Sequence, residues 1–293
     1  MLMEYVCRMK NTNIQHILLL NFSMLCLSTS GALGRFINLP PPLIIWYRAF
    51  LALLFIGAFC WWKNYDFRFD VKEHGLTIFL SGVFLAGNFV CYFYALQWSN
   101  VAIGMLALFT FPAMTTLLEP LFFKTPFQIV HLLMAGMVLL GIYFLAPTFD
   151  IDNSLTQGLF MGLVAAFSWT IRNLILKRKI TSFNSSILMF YQLFVCAVIL
   201  LPVLFIFPTE TVSTQLPYLI FLGLVTTAVG HTLFLSSLNH FSVSTASIMS
   251  SVQPIFGIIV AILFLGEIPS GRSLIGGSLI LLTVVIESRR SLR

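Results

Sequence analysis

The chain has 293 residues, 59% of them hydrophobic and only 9% charged. A soluble domain carries about 25% charged residues to face water, so sixteen Lys plus Arg and ten Asp plus Glu are too few to solvate 33.0 kDa of protein. With a mean hydropathy of +0.97, this excludes a soluble enzyme and leaves a polytopic membrane protein.

A hydrocarbon core of ~30 Å is crossed by ~20 apolar helical residues. Ten runs answer to that description: residues 15–36, 44–62, 76–96, 101–123 and 129–146, then 158–176, 186–207, 215–238, 244–265 and the shorter 273–286. Lipid cannot satisfy an open strand edge. Unalternated stretches such as ALLFIGAFCWW do not read as barrel strands, so each run is expected as a helix. Arg8 and Lys10 resemble the charged start of a signal peptide, but the apolar stretch behind them is too long for one. The first run is therefore read as a retained span, with Met9 an alternative translation start.

The basic residues orient the chain. With the amino terminus inside, Arg8, Lys10, Lys63, Arg68, Lys72, Lys124, Lys177, Arg178, Lys179, Arg289, Arg290 and Arg293 all lie on the cytoplasmic side. Arg272 is alone outside, and Arg35, Arg48 and Arg172 lie in or at the spans. This is the positive-inside pattern. It predicts a cytoplasmic (inner) membrane protein with both termini cytoplasmic, and it explains the net charge of +6 through topology and anionic lipid; no nucleic acid partner is implied. Trp46, Trp98, Trp61 and Trp62 fall where aromatic belts are expected. Cys26, Cys60, Cys91 and Cys196 lie within spans without metal-ligand spacing, and read as packing residues; no cofactor is implied.

The chain repeats itself. IIWYRAFLALL from residue 44 lies over LMFYQLFVCAV from residue 188, matching Tyr47 to Tyr191 and Phe50 to Phe194, with Arg48 facing Gln192. Further on, Leu96 meets Leu238, Val101 meets Val243 and Pro112 meets Pro254. Two copies of a five-span unit, residues 15–146 and 158–286 around an external linker at 147–157, must insert in opposite orientations. Inverted repeats are a recurrent plan of secondary transporters, with the site at the midplane. The expected fold is an all-α polytopic membrane protein of ten transmembrane helices as two inverted five-helix repeats.

Polar residues at bilayer depth mark functional candidates. Pro112 and Pro254 each remove a helical hydrogen bond in mid-span, at the carbonyls of Leu108 and Ser250, and are candidate hinges. Ser247, Ser250 or Ser251, Pro254, Gly257 and Ala261 form a small, polar stripe, read either as close helix packing or as a wall of a path. Glu119, the only acid well inside a span, is a candidate for proton coupling or for a structural pair with Arg172. Arg172 otherwise snorkels toward Lys177, Arg178 and Lys179. Arg35, at the outer end of the first span, reaches water. Arg48 closes the outer face or holds an anionic group, or else forms a structural pair. Arg48, Asn88, Tyr92, Tyr94, Trp169, His231, Ser250 and Gln253 are the candidate substrate-path residues, with Gln97 also deep enough to face a cavity; together they suggest an amphipathic, aromatic pocket. No phosphate loop, H-E-x-x-H, G-x-S-x-G or intramembrane aspartate pair is present, so no enzyme is expected.

With the ten-span layout, WYRAFLALL around Arg48, the mid-span Pro112, FSWTIRNLILKR with Trp169, and SIMSSVQPIFGIIVAILFLGEIPSGRSLIGGSLI with Pro254, Leu265-Gly266-Glu267 and Gly276-Gly277, the chain resembles the EamA-type members of the drug/metabolite transporter superfamily. The first copy departs from the second, with Lys124-Thr125 where the second has Gly266-Glu267. The resemblance implies a secondary transporter of the cytoplasmic membrane, often an exporter of amino acids or related metabolites, working by alternating access. The expected partners are a small-molecule substrate, the lipid bilayer and protons as a candidate coupling ion. An uncoupled facilitator and a non-transporting membrane scaffold remain the alternatives.

Overall fold

The structure, a computed structural model, describes residues 2–68, 71–123, 129–145, 150–177, 184–237, 239–240, 250 and 252–291. Within these residues every regular element is helical. Helix α1 (Leu2–Phe36) is followed by α2 (Pro41–Trp62), α3 (Val71–Trp98), α4 (Val101–Leu108), α5 (Phe111–Phe123) and α6 (Ile129–Leu145). The second half holds α7 (Ser154–Lys177), α8 (Ser185–Leu200), α9 (Val203–Ile206), α10 (Val212–Phe221), a π-helical segment (Leu222–His231), α11 (Thr232–Ser237), α12 (Val252–Leu265) and α13 (Gly271–Ser291). Six stretches are long and apolar enough to cross a bilayer: Gln15–Phe36, Pro41–Trp62, Lys72–Trp98, Ser154–Leu176, Ser185–Ile206 and Val212–Ser237. Leu133–Leu145, Val252–Leu265 and Gly271–Thr283 are shorter apolar helices. Residues 147–149, Lys124, Thr125, Arg178, Lys179, Ser251, Arg293 and the start of the expected ninth run at 244–249, with Ser247, lie outside the described residues.

Local chemistry sets the helix ends. Pro41 opens α2, where its missing N–H is not needed. Asn100 caps α4 by accepting from Ile103 N at 2.9 Å, and Asn184 caps α8 by accepting from Ser186 N at 2.9 Å; both are standard uses of an Asn side chain. The expected fourth span is interrupted. Pro112 brings no N–H to Leu108, and α4 ends at Leu108. Pro112 is then the second residue of α5, a position that tolerates it. The axis bends by 41° between Val101–Thr115 and Leu117–Phe123, where Pro120 inside α5 lacks the bond to Thr116. The bend falls just before Pro120, beyond the expected hinge residue Pro112. Pro254 is buried and third in α12.

Packing runs across the two halves. Helix α3 lies on α7, α1 on the π segment, α4 on α7, α1 on α12, α3 on α8, and α2 on the π segment; α2 pairs with α8 and α6 with α13. Glycines let these backbones approach. A Cβ added at Gly82 of α3 would lie 2.6 Å from Val195 of α8, and one at Gly223 of the π segment 2.8 Å from Leu51 of α2. Trp46 does not sit in an aromatic belt as expected. It is buried against α8 and its indole donates to Ala197 O at 3.1 Å. Trp61 and Trp62 are exposed, in keeping with a belt position.

Gly276 of α13 offers a direct check on this packing. A Cβ there would come within 2.6 Å of the Gly141 carbonyl and 3.2 Å of Leu145 N, both backbone, whereas one at Gly136 meets nothing within 4 Å. Gly276→Ala should destabilise the purified protein by about 1–3 kcal/mol, read as a lower Tm. Gly136→Ala should leave Tm unchanged or raise it slightly.

Candidate functional site

The site is built around a guanidinium. Arg48 on α2 is 1% exposed, and its Nε donates to Thr227 Oγ1 at 2.6 Å. One terminal nitrogen lies 3.2 Å from His231 Nε2. Arginine only donates, so Nε2 accepts and the neutral ring carries its proton on Nδ1. The guanidinium also lies 4.1 Å above the Phe89 ring and 5.5 Å from the Phe93 ring centre, a favourable cation–π placement. Thr227 and His231 are four residues apart on the π segment, and Thr227 Oγ1 donates back to Leu222 O at 2.8 Å, five residues earlier. Segments of π-helix are rare and concentrate at functional sites.

A second guanidinium is equally buried. Arg172 on α7 is 1% exposed. It donates twice to Gln192 Oε1, at 2.9 and 2.6 Å, and once to Asn173 Oδ1 at 3.3 Å. Its charge lies 4.7 Å from the Trp169 ring centre, and that ring stands edge-on to His231 with centroids 5.6 Å apart. Arg172 therefore neither snorkels to the surface nor pairs with Glu119. Amide oxygens of Gln192 on α8 and of Asn173 on its own helix hold it inside.

Arg48 and Trp169, the ring that Arg172 packs against, line a central cavity. Of the eight substrate-path candidates, Arg48, Asn88, Tyr92, Trp169, His231, Ser250 and Gln253 line it, with Phe89, Phe109, Phe111 and Phe234 supplying aromatic walls. Its water-sized free space is about 40 Å³, enough for about three waters. Tyr94 is not part of it. Positions two apart on a helix face different sides, so Tyr94 turns away from Tyr92 and packs on Trp98, centroids 4.7 Å apart. Asn88 is committed to structure as well, donating to Ala165 O of α7 at 2.8 Å. Glu119 is half-buried on α5 and is not among the lining residues.

Sequence reasoning passed over Thr227 and the phenylalanine walls. Thr227 was findable, being one turn before His231 on a face of small residues. It also missed a polar clasp at the end of the molecule where α1 finishes. Arg35 Nε donates to Glu267 Oε1 at 3.0 Å, and Arg35 Nη1 donates to Gln97 O at 2.5 Å. The other Glu267 oxygen accepts from Val101 N at 2.9 Å, at the positive amino-terminal end of α4. Gly266 makes this possible. Its φ of +69° is the left-handed turn that glycine adopts after a helix, and it aims Glu267 back at Arg35. A recess of about 300 Å³ adjoins the clasp. At the opposite end a recess of about 490 Å³ lies among Phe59, Tyr65, Asn184, Leu224 and Ser236.

Thr227→Val keeps the shape of the side chain and removes the acceptor of Arg48 Nε. A buried hydrogen bond to a charged group contributes about 1.5–3 kcal/mol, so Tm should fall clearly in Thr227→Val and recover in Thr227→Ser.

The chain matches the model of the EamA-like transporter family over residues 15–146 and 156–289. It is similar to an "Uncharacterized transporter" of Archaeoglobus fulgidus, 27% identical over 246 residues that cover 84% of this chain and 86% of the relative. It is also similar to the "Uncharacterized transporter YxxF" of Bacillus subtilis, 24% identical over 254 residues, covering 84% of this chain and 81% of the relative. A solved structure named only "Crystal structure of protein" has the same fold, with a TM-score of 0.66, 17% identity and coverage of 96% of this chain and 97% of that one. With both halves matched and apolar helices throughout, the chain belongs to the EamA-like transporter family and is a multi-pass membrane transporter.

Proposed function

We propose that the chain is a secondary active transporter that exports a small metabolite, an amino acid or similar compound, across the cytoplasmic membrane by alternating access. The observation that carries this is the small central cavity, set between a polar clasp at one end and a wide recess at the other. A cavity with room for about three waters admits a metabolite only after the helices around it move. The packing supports ten spans as two inverted five-helix repeats. Exchange α1 with α7, α2 with α8, α3 with the π-containing helix, α4–α5 with α12, and α6 with α13. The main contacts between elements then map onto one another: α3 on α7 becomes the π segment on α1, α4 on α7 becomes α12 on α1, and α3 on α8 becomes the π segment on α2. Two similar halves around one cavity are the arrangement that rocks in such transporters.

With both termini cytoplasmic, the Arg35–Glu267 clasp is extracellular and the large recess faces the cytoplasm. The structure then stands closed to the outside. The clasp suits a gate because it is weak. Its two side chains are 38% and 25% exposed, and an exposed pair contributes about 0.2–1 kcal/mol. Glu267→Gln should therefore raise the outward-open population by up to about fivefold. A cysteine placed at Ser30 in a cysteine-free background, labelled from outside with an impermeant maleimide, reads this as faster labelling. The double variant Arg35→Glu, Glu267→Arg should return the rate toward that of the parent.

Transport itself is tested in proteoliposomes loaded with mixed amino acids and organic acids. Gradient-driven efflux of at least one solute is the expected result, and no movement of any solute would overturn the proposal. An uncoupled facilitator is the second reading. It is favoured by the placement of Glu119 away from the cavity and by the lack of Asp or Glu among the described lining residues. Glu119→Gln separates the two: a proton-coupled exporter loses pH-driven transport, and a facilitator keeps its exchange rate.

A further inference from the structure

We infer that the central cavity selects an organic anion, a carboxylate on a small aromatic or apolar body, over a zwitterion or an amine; this rests on the transporter reading above and moves its small-metabolite substrate from amino acids to organic anions. The first observation is an imbalance of charge. Arg48 lines the cavity, is buried, and is held only by the Thr227 hydroxyl, the His231 ring and aromatic faces. Arg172, one indole ring away, is held only by amide oxygens, a weak sulfur contact and that ring. Among the described residues no carboxylate lies within ion-pair distance of either. A buried charge normally has an opposite charge beside it. Here the cavity is left with a positive potential and no fixed anion.

The second observation is a pair of donors without acceptors in the same cavity. Nε2 of His231 accepts from Arg48, so its Nδ1 bears the proton, yet this buried atom has no hydrogen-bond partner. The buried Tyr92 hydroxyl makes no well-formed hydrogen bond, only a weak contact with Ser30. Both residues line the cavity with Arg48. A guanidinium, an imidazole N–H and a phenol O–H line the same cavity, and neither the imidazole N–H nor the phenol completes a hydrogen bond there. A carboxylate has two oxygens and about four acceptor positions, which answers that set. Charge-assisted bonds of this kind are the strong ones.

The remainder of the wall decides the body of the ligand. Phe89, Phe109, Phe111, Trp169 and Phe234 offer ring faces and no further charge. An ammonium would meet Arg48 as a like charge and find no acid to pair with. A zwitterion gains at its carboxylate what it loses at its amine.

Three probes share one ring and differ in charge: phenylacetate, phenylalanine and phenethylamine. Binding to purified protein in nanodiscs is measured directly, apart from any flux assay. Phenylacetate should bind at least tenfold more tightly than phenethylamine and more tightly than phenylalanine. Tyr92→Phe keeps the packing and removes one donor. It should weaken phenylacetate by about tenfold and leave phenethylamine unchanged. Arg48→Met should abolish the preference for the anion. Failure of phenylacetate to bind, or equal or tighter binding of either amine-bearing probe, overturns the inference. Saturable phenylacetate binding without movement of any solute in proteoliposomes would instead overturn the transporter reading and leave the anion site standing.

Discussion

A guanidinium keeps its charge at any ordinary pH, and hydrocarbon offers it no partner. Arg48 and Arg172 both sit 1% exposed inside the helices, so the surrounding structure has to be arranged around them. For Arg48 the arrangement is the π segment, which brings Thr227 and His231 onto one face at hydrogen-bond distance. For Arg172 it is Gln192 on α8, whose side-chain oxygen takes two of its donors. Removing either set would strand a buried charge, which is among the most expensive changes a protein can undergo.

Those two sets tie the halves together. Arg48 belongs to the first half and its partners to the second, while α7 and α8, which carry Arg172 and Gln192, each pack on helices of the first half. Close backbone approach makes this geometry reachable. Gly223 lets the π segment come against Leu51 on the helix that carries Arg48, and Gly82 lets α3 come against Val195 on the helix that carries Gln192. The same contact, glycine against a β-carbon, thus appears in each half. The aromatic rings then fill what the helices leave and put flat, polarisable surface beside both cations.

The two ends of the molecule are built differently from its centre. The Arg35–Glu267 clasp is part-exposed and draws on carbonyl and amide groups at helix ends. Such contacts are weak singly and exchange readily with water. The central contacts are buried instead. A molecule with a loosely held end and a tightly specified centre can open at the end while keeping its site assembled. The turn at Gly266, with its φ of +69°, is the backbone feature that lets a single residue, Glu267, reach helices of the other half.

Much was legible in the sequence because lipid enforces simple rules. Scarce charge and long apolar runs required membrane helices, and polar or amphipathic residues at depth had to turn inward, which is why Arg48, Trp169, His231 and Gln253 could be picked out before any geometry was known. Pro112 read as a mid-span hinge that frees the Leu108 carbonyl, and the structure ends α4 at that residue. Which partner each residue takes was not legible. Tyr92 and Tyr94 are equally polar, yet helical rotation sends one to the cavity and the other to Trp98. Arg172 read as a snorkelling residue because the amide of Gln192 is only a moderately polar group twenty residues away, with no spacing rule to join them. Glu267 read as part of a motif, and its meeting with Arg35 across 232 positions depends on how two helices end in space. The sequence by itself determined that the chain lives in a bilayer and which few residues are costly there, since transfer from water to lipid depends on residue type alone. Only the tertiary structure decided which of those residues neutralise one another and which remain unsatisfied around a cavity, since hydrogen bonds and ion pairs depend on direction and distance.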